Sequence, residues 1–231
     1  SVVLSGRTVL VTGSSCGIGM YAVEEFADLV AKVIVHGRNE TAGKEIVERI
    51  RSYGGTATFM SCDFSDIDAV EEFADDVIEH FDGSLDILVN NAGGYFTHDQ
   101  SEEGELNYTF VVNHLASFVL TRKLLPLLRS EDSLGRVVNT SSSAHRQASY
   151  DRGKATDLGN GWREYGHSKL LNLLFARYLA RTEDDVRTVA IHPGVIPGSG
   201  FTRNLPSFLD FIGKLVSKLP IGSVKHPSQG S

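Results

Sequence analysis

Tyr165 and Lys169 stand four apart in REYGHSKL (163–170), at the start of a long apolar helical pattern, LLNLLFARYLA. One helical turn separates them, so they share a face. A phenol has an ordinary pKa of about 10, too high to trade protons readily at neutral pH. A fixed ammonium nearby stabilises the phenolate and lowers that value. Near a nicotinamide, such a tyrosine gives a proton to a carbonyl oxygen as hydride reaches carbon, or takes one from an alcohol in reverse. A hydroxyl is then wanted to hold the substrate oxygen, and Ser141, Ser142 and Ser143 follow the apolar run RVVNT to offer one. Taken alone, Tyr-x-x-x-Lys is more often a surface pair with ordinary packing.

The stretch TGSSCGIG adds a second element of chemistry. Gly13, Gly17 and Gly19 fall between a first strand and a first helix, where glycine permits a tight turn and close approach of backbone to a pyrophosphate. The helix N-terminus then faces the phosphates. Many strand-to-helix turns need glycine for shape alone, so position after the first strand is what points to a dinucleotide. An NAD-specific site carries an acid about 20 residues on, to hold the ribose diol. His36, Gly37 and Arg38 occupy that place instead. With no carboxylate and an arginine in reach, the expectation is NADP(H) over NAD(H), against solvated surface arginine as the plain alternative. Asp63, in SCDF, is placed either to hold an adenine amino group or to serve the helix that follows. Cys16, Asn39 and Phe64 flank these positions and complete the expected adenosine and phosphate lining.

These residues need a scaffold, and the apolar pattern supplies one. Short β-branched runs at 8–12, 32–36, 56–62, 86–90, 136–141 and 186–192 alternate with helical patterns at 17–29, 41–53, 65–81, 106–129 and from Tyr165 onward. Ser65 and Asp68 read as a capping pair for the third helix. Strands that are continuous apolar runs, joined by helical crossovers, call for a parallel sheet covered on both faces. The expected fold class is α/β: a single doubly wound Rossmann-fold domain spanning 1–231. Two polar, turn-rich stretches, 144–162 and the segment after Pro193, follow strand C-termini, where such sheets bind ligands.

Composition narrows the classes. The 231 residues, 41% hydrophobic, suffice for one core. A net charge of -7 and a pI near 5.6 argue against a sequence-independent nucleic-acid binder. SVVLSGRTVLVTG lacks the layout of a secretory leader, and no apolar run approaches membrane-spanning length, so no transmembrane segment is expected. Cys16 and Cys62 are too few for a disulfide framework, which makes a reducing, cytoplasmic setting the simplest expectation. The eight histidines show no HxxxH or HxH spacing, so no metal site is expected.

In combination these features resemble the short-chain dehydrogenase/reductase family. TGxxxGxG, NNAG at 90–93, an Asn in the fourth helical pattern, a Ser ending the fifth strand, YxxxK and a PG after the sixth strand occur in order, over about residues 7–205. The resemblance implies Tyr165 as general acid/base and Lys169 as the cation that lowers its pKa and holds the nicotinamide ribose. It implies Ser142 as the substrate-oxygen donor and Asn113, in VVNHL, as a residue that helps hold a water chain from the lysine. Gly13, Ser15, Ile18, Arg38, Asp63, Asn90, Ala92 and Gly93 match cofactor-contacting positions, and Pro193, Gly194 and Ile196 match the segment beside the nicotinamide amide. HGRN, VVNHL, NTSSSAH and the gap from Ser142 to Tyr165 look most like the retinol dehydrogenase and protochlorophyllide reductase branch, whose members act on bulky lipophilic carbonyls and alcohols with NADP(H). A tetrapyrrole double-bond reduction is the alternative chemistry.

The pattern also departs from the family. Gly198 replaces the usual PGxxxT threonine, and Cys16 stands where many NADP-using relatives carry Lys or Arg. The family continues past a segment like HPSQGS into a further helix and a seventh strand, which implies a chain shortened at Ser231. SFLDFIGKLVSKL (207–219) carries one apolar helical stripe, read first as a helix packed on its own domain, then as a lid over an apolar substrate or a membrane-surface anchor. LLNLLFARYLA is apolar on more than one stripe, so a homo-oligomer is expected. The rival to an enzyme is a cofactor-binding regulator or scaffold without turnover, which has no physical need for Asn113, Ser142, Tyr165 and Lys169 together.

Overall fold

The computed structural model describes residues 4–81, 85–97, 100–101, 106–130, 133–149 and 161–194. The described residues form seven strands, five α-helices and one 3-10 turn at Ser143–Gln147, in the order β1 Thr8–Val11, α1 Gly17–Asp28, β2 Lys32–Gly37, α2 Glu40–Ser52, β3 Thr56–Ser61, α3 Ile67–His80, β4 Ile87–Asn90, α4 Tyr108–Leu128, β5 Arg129–Ser130, β6 Ser133–Thr140, α5 Trp162–Thr182 and β7 Val186–Ile191. The sheet runs β3-β2-β1-β4-β6-β7, all parallel, and the two-residue β5 pairs antiparallel with the start of β6. From β1 the chain steps outward through β2 and β3, then returns to β4 on the other side of β1. That reversal opens a crevice at the C-terminal ends of β1 and β4, where a doubly wound sheet takes its ligand.

Strand alternation divides the core into two layers. Val9, Val11, Val33, Val35, Ile87 and Val89 face α1 and α2, packing on Val23, Ala27, Ile46, Val47 and Ile50. Leu10, Ile34, Leu88 and Val137 face the opposite side, against Val70, Phe73 and Val77 of α3, Leu120, Leu124 and Leu128 of α4, and Phe175 and Leu179 of α5. Each fully buried leucine of this kind contributes about 1.5–3 kcal/mol. On α5, Leu170, Leu171, Leu173 and Leu174 are half-buried.

Several boundaries differ from the sequence expectation. Helix α3 starts at Ile67 and takes Asp66 as its N-cap, whose carboxylate accepts the Ala69 N–H at 3.1 Å. Ser65 lies one residue before that cap and instead donates its N–H to the Asp63 carboxylate at 3.0 Å. Helix α4 begins two residues later than expected, capped by Asn107 on the Phe110 N–H. Its residues 111–115 form a π turn, with the Ala116 N–H donating to the Val111 carbonyl. At 21 residues and mean hydropathy 1.2, α4 is long and apolar enough to cross a membrane, contrary to the expectation, yet here its apolar face lies in the core. The lid or anchor segment 207–219 and the expected Ile196 lie outside the described residues.

Helix α1 ends in an unusual way. Val30, the second residue after it, holds φ +67 and is 60% exposed.

Candidate active site

The glycine loop between β1 and α1 is built by close approach. Gly13 holds φ +64, and a Cβ there would stand 2.7 Å from the Ala92 Cα. Gly19 lies under the loop, where a Cβ would meet the Gly13 carbonyl at 2.5 Å. Asn91 fastens the loop to β4, donating from Nδ2 to the carbonyls of Thr12 at 2.8 Å and Gly13 at 3.2 Å. His36, at the end of β2, accepts the Gly13 N–H on Nδ1 at 3.0 Å. Cys16 is the N-cap of α1 and makes no side-chain capping bond, and the first turn holds no acid. The orphan N–H groups of that turn are therefore left for an anion. Glycines no side chain could replace and an uncapped helix start beside the crevice fit the diphosphate of a dinucleotide.

The crevice has a volume of about 380 Å³ and runs from this loop to the end of β6. That lies within the range of small-molecule sites, roughly 300–1,000 Å³. At the outer end Arg38 reaches the Asp63 carboxylate at 3.4 Å and the Tyr108 hydroxyl. Burial opposes the charge on Arg38, but Asp63 and Tyr108 outweigh it and raise its pKa. Burial likewise pulls Asp63 upward, and the Ser65 N–H and hydroxyl with Arg38 carry it below the usual carboxylate range. Asp63 thus supports Arg38 and the turn before α3 as well as facing the crevice. Ser15, Cys16, Gly17, Ile18 and Phe64 line the same end.

At the inner end Tyr165 and Lys169 are buried on one face of α5. The Tyr165 hydroxyl is hydrogen-bonded to Ser142, at the end of β6, and Ser142 in turn accepts the Ala144 N–H at 3.3 Å. Ser141 faces the other way, donating to the Lys169 carbonyl at 2.8 Å. The Lys169 ammonium donates to the Thr140 carbonyl at 3.2 Å and lies 5.6 Å from the Tyr165 ring centroid. Burial pushes Tyr165 up to about 12, with the Ser142 hydrogen bond opposing. The direction is opposite to the expected one, because loss of water around the buried phenol dominates. Burial also brings Lys169 down to about 8.

Ala92, Gly93, Pro193 and Gly194 line the crevice near this end. Gly93 holds φ +147, and a Cβ there would meet the Asn113 Oδ1 at 2.7 Å and the Lys169 Nζ at 3.3 Å. Asn113 itself is buried on the π turn. It clamps Gly94, accepting its N–H at 2.8 Å and donating to its carbonyl at 2.9 Å, and it donates to Ser168 at 3.1 Å. Its backbone carbonyl accepts from Asn172, not from Lys169.

Two expected cofactor residues are not brought to the crevice wall. Asn90 is buried between strands and α4, donating to Thr121 at 2.9 Å and to Asn139 at 3.0 Å. Asn39 caps α2, accepting the Ala42 N–H at 3.1 Å. Sequence reasoning gave no role to Asn91, to the imidazole of His36 or to the pair Tyr95 and Trp162, all of which line the crevice. NNAG and HGRN drew attention to the first two neighbourhoods, but nothing in the spacing says which atoms meet.

Comparison with known proteins gives the following. The chain matches the short chain dehydrogenase family over residues 7–208. It is 34% identical to dehydrogenase/reductase SDR family member 13 of Bos taurus, over 97% of this chain and 62% of that protein. It is 35% identical to retinol dehydrogenase 12 of Mus musculus, over 88% of this chain and 66% of that protein. The chain therefore spans less than two thirds of the length of these relatives. A solved Pseudomonas aeruginosa RhlG/NADP active-site complex shares its fold with TM-score 0.77 and 26% identity, covering 99% of this chain and 88% of that one.

Proposed function

The chain belongs to the short-chain dehydrogenase/reductase family, on its retinol dehydrogenase-like branch, and from that premise we propose an NADP(H)-dependent oxidoreductase that interconverts a lipophilic carbonyl and its alcohol. One observation carries the reading. A tyrosine hydroxyl bonded to Ser142, with a buried ammonium 5.6 Å from its ring, stands at the inner end of a crevice whose outer end is a glycine loop at a helix start.

When bound, the nicotinamide cofactor would supply hydride to a carbonyl carbon or accept it from an alcohol carbon. The chain's own residues do the rest. Ser142 and Tyr165 together hold the substrate oxygen, and Tyr165 gives it the proton. With its pKa up near 12, Tyr165 keeps that proton at neutral pH until a developing oxyanion takes it. Lys169, still charged below about 8, steadies the phenolate left behind. The N–H groups at the start of α1 bind the diphosphate, and Arg38 is the group for a 2′-phosphate. Phe96 and Val112 add apolar side chains to the crevice lining, which supports a lipophilic substrate.

The test is turnover of a panel of lipophilic aldehydes and ketones with NADPH by wild type and Tyr165→Phe. The expected result is activity that disappears in the variant while NADPH binding persists. Tight NADPH binding with no turnover of any panel member would favour a regulator with this fold instead.

A further inference from the structure

Three aromatic rings meet at the inner end of the crevice. Tyr95 stands edge-on to Trp162, with centroids 5.9 Å apart at 62°, and edge-on to Tyr165, 6.2 Å apart at 86°. Trp162 and Tyr165, three residues apart on α5, lie 5.6 Å apart and tilted at 34°. Tyr165 is buried at 5%, but the Trp162 side of the corner is open, 39% exposed.

A tryptophan half in water at a helix start, against the proton-donating tyrosine, is not core packing. Its indole Nε1–H donates to the Gln147 Oε1 at 2.8 Å. That bond satisfies the polar edge of the ring and fixes its orientation, which leaves the exposed side of the ring for an apolar partner. Tyr95 and Trp162 come from different parts of the chain, the loop after β4 and the start of α5, and both line the crevice with Ser142 and Lys169. Flat unsaturated rings recover offset-stacked or edge-to-face geometry at such a corner, a gain that saturated groups of equal area do not share.

We propose that Tyr95 and Trp162 form a recognition wall that selects carbonyl substrates bearing a planar aromatic ring next to the carbonyl, an aryl ketone rather than a saturated one. The wall places the ring against Trp162 and the oxygen beside Ser142 and Tyr165. This rests on Tyr165 being the proton donor of a carbonyl reductase, and the two claims fail separately.

The experiment compares 4′-nitroacetophenone with cyclohexyl methyl ketone, using NADPH, on wild type, Trp162→Leu, Trp162→Phe and Tyr95→Leu. In parallel, the emission of Trp162, the chain's single tryptophan, is followed as each ketone is added with NADP⁺, a pairing that cannot turn over. Expected are a preference for the aryl ketone in kcat/KM that shrinks about fivefold in Trp162→Leu and largely returns in Trp162→Phe, and saturable quenching by the aryl ketone. Turnover of both ketones with no aryl preference, or an equal loss for both in Trp162→Leu, overturns the wall and leaves the reductase standing. Saturable quenching without turnover of either ketone overturns the reductase reading and supports the wall as a ring-binding site. An unfolded Trp162→Leu leaves the decision to Trp162→Phe and Tyr95→Leu: a preference unchanged in Tyr95→Leu counts against the wall.

Discussion

The N–H of Gly13 donates to Nδ1 of His36 at 3.0 Å, which ties the first glycine of the phosphate loop to the end of the neighbouring strand. An acceptor Nδ1 must be bare, so the imidazole is neutral with its proton on Nε2. The ring packs against Phe64 at 4.5 Å and Phe73 at 4.9 Å, both tilted to it. A charged imidazole would lose both the bond and the apolar fit.

Acid should therefore weaken the fold through this residue. Burial brings His36 down to about 4 from 6.5, against the Cys62 carbonyl and Asp63. Between those values the unfolded chain binds a proton that the folded chain refuses, so stability is present above pH 6.5 and is lost as pH falls to about 4. Urea midpoints measured from pH 7.5 downward should decline across that window in wild type and decline less in His36→Asn. Parallel curves would assign the acid sensitivity to another group.

The raised pKa of Tyr165 separates the two directions of the reaction. Because the phenol stays protonated to about 12, carbonyl reduction should hold steady from pH 6 until Lys169 loses its charge near 8. Alcohol oxidation needs the proton acceptor and should climb over the same range. Initial rates in both directions across pH 6–10 test this, and parallel profiles would argue against Tyr165 as the shared group.

Arg38 decides between the two nicotinamide cofactors in this reading. Losing a charge-assisted contact to a 2′-phosphate should weaken NADPH binding about tenfold or more in Arg38→Ala. NADH has no such phosphate, and its affinity should change little. Equal losses for both, by fluorescence titration, would show that Arg38 serves the loop rather than the phosphate.

Val30 offers a stability test away from the site. Its φ of +67 follows the end of α1, the place where a helix commonly takes a glycine. A β-branched residue there costs about 1–2 kcal/mol. Val30→Gly relieves that strain but frees the unfolded chain, for a net gain of about 1 kcal/mol and a Tm higher by a few degrees. An unchanged or lowered Tm would mean that the exposed Val30 side chain contributes packing that offsets the strain.

The central strands β1 and β4 were legible because each is an apolar run buried on both faces, as with Val9, Leu10 and Val11, whereas β3 and β7 were read from their β-branched residues although one face of each is partly open. Helix starts shifted by one or two residues where several residues able to cap stand close together in sequence, as Asp63, Ser65 and Asp66 do: Asp63 takes the Ser65 N–H and Asp66 the Ala69 N–H. The choice of Ser142 over its neighbours followed from strand register, which turns Ser141 back toward the Lys169 carbonyl. The direction of the Tyr165 shift did not, because spacing shows a charge four residues away but not how much water the fold removes. The bond from Gly13 to His36 was equally hidden, since it joins groups 23 residues apart through one ring nitrogen.

The π turn at Val111–Leu115 carries a consequence for the angular phase of α4. An α-helix advances about 100° per residue, so one residue inserted into a turn rotates everything before it by about that amount relative to everything after. The C-terminal half of α4 can then keep Leu120, Leu124 and Leu128 on the core, while Tyr108, in the preceding segment, meets Arg38 at the outer end of the crevice. Asn113 sits at the seam between those two phases. Removing a single residue from the turn would leave the composition nearly unchanged, yet it would force the helix to choose which of its two partners to face.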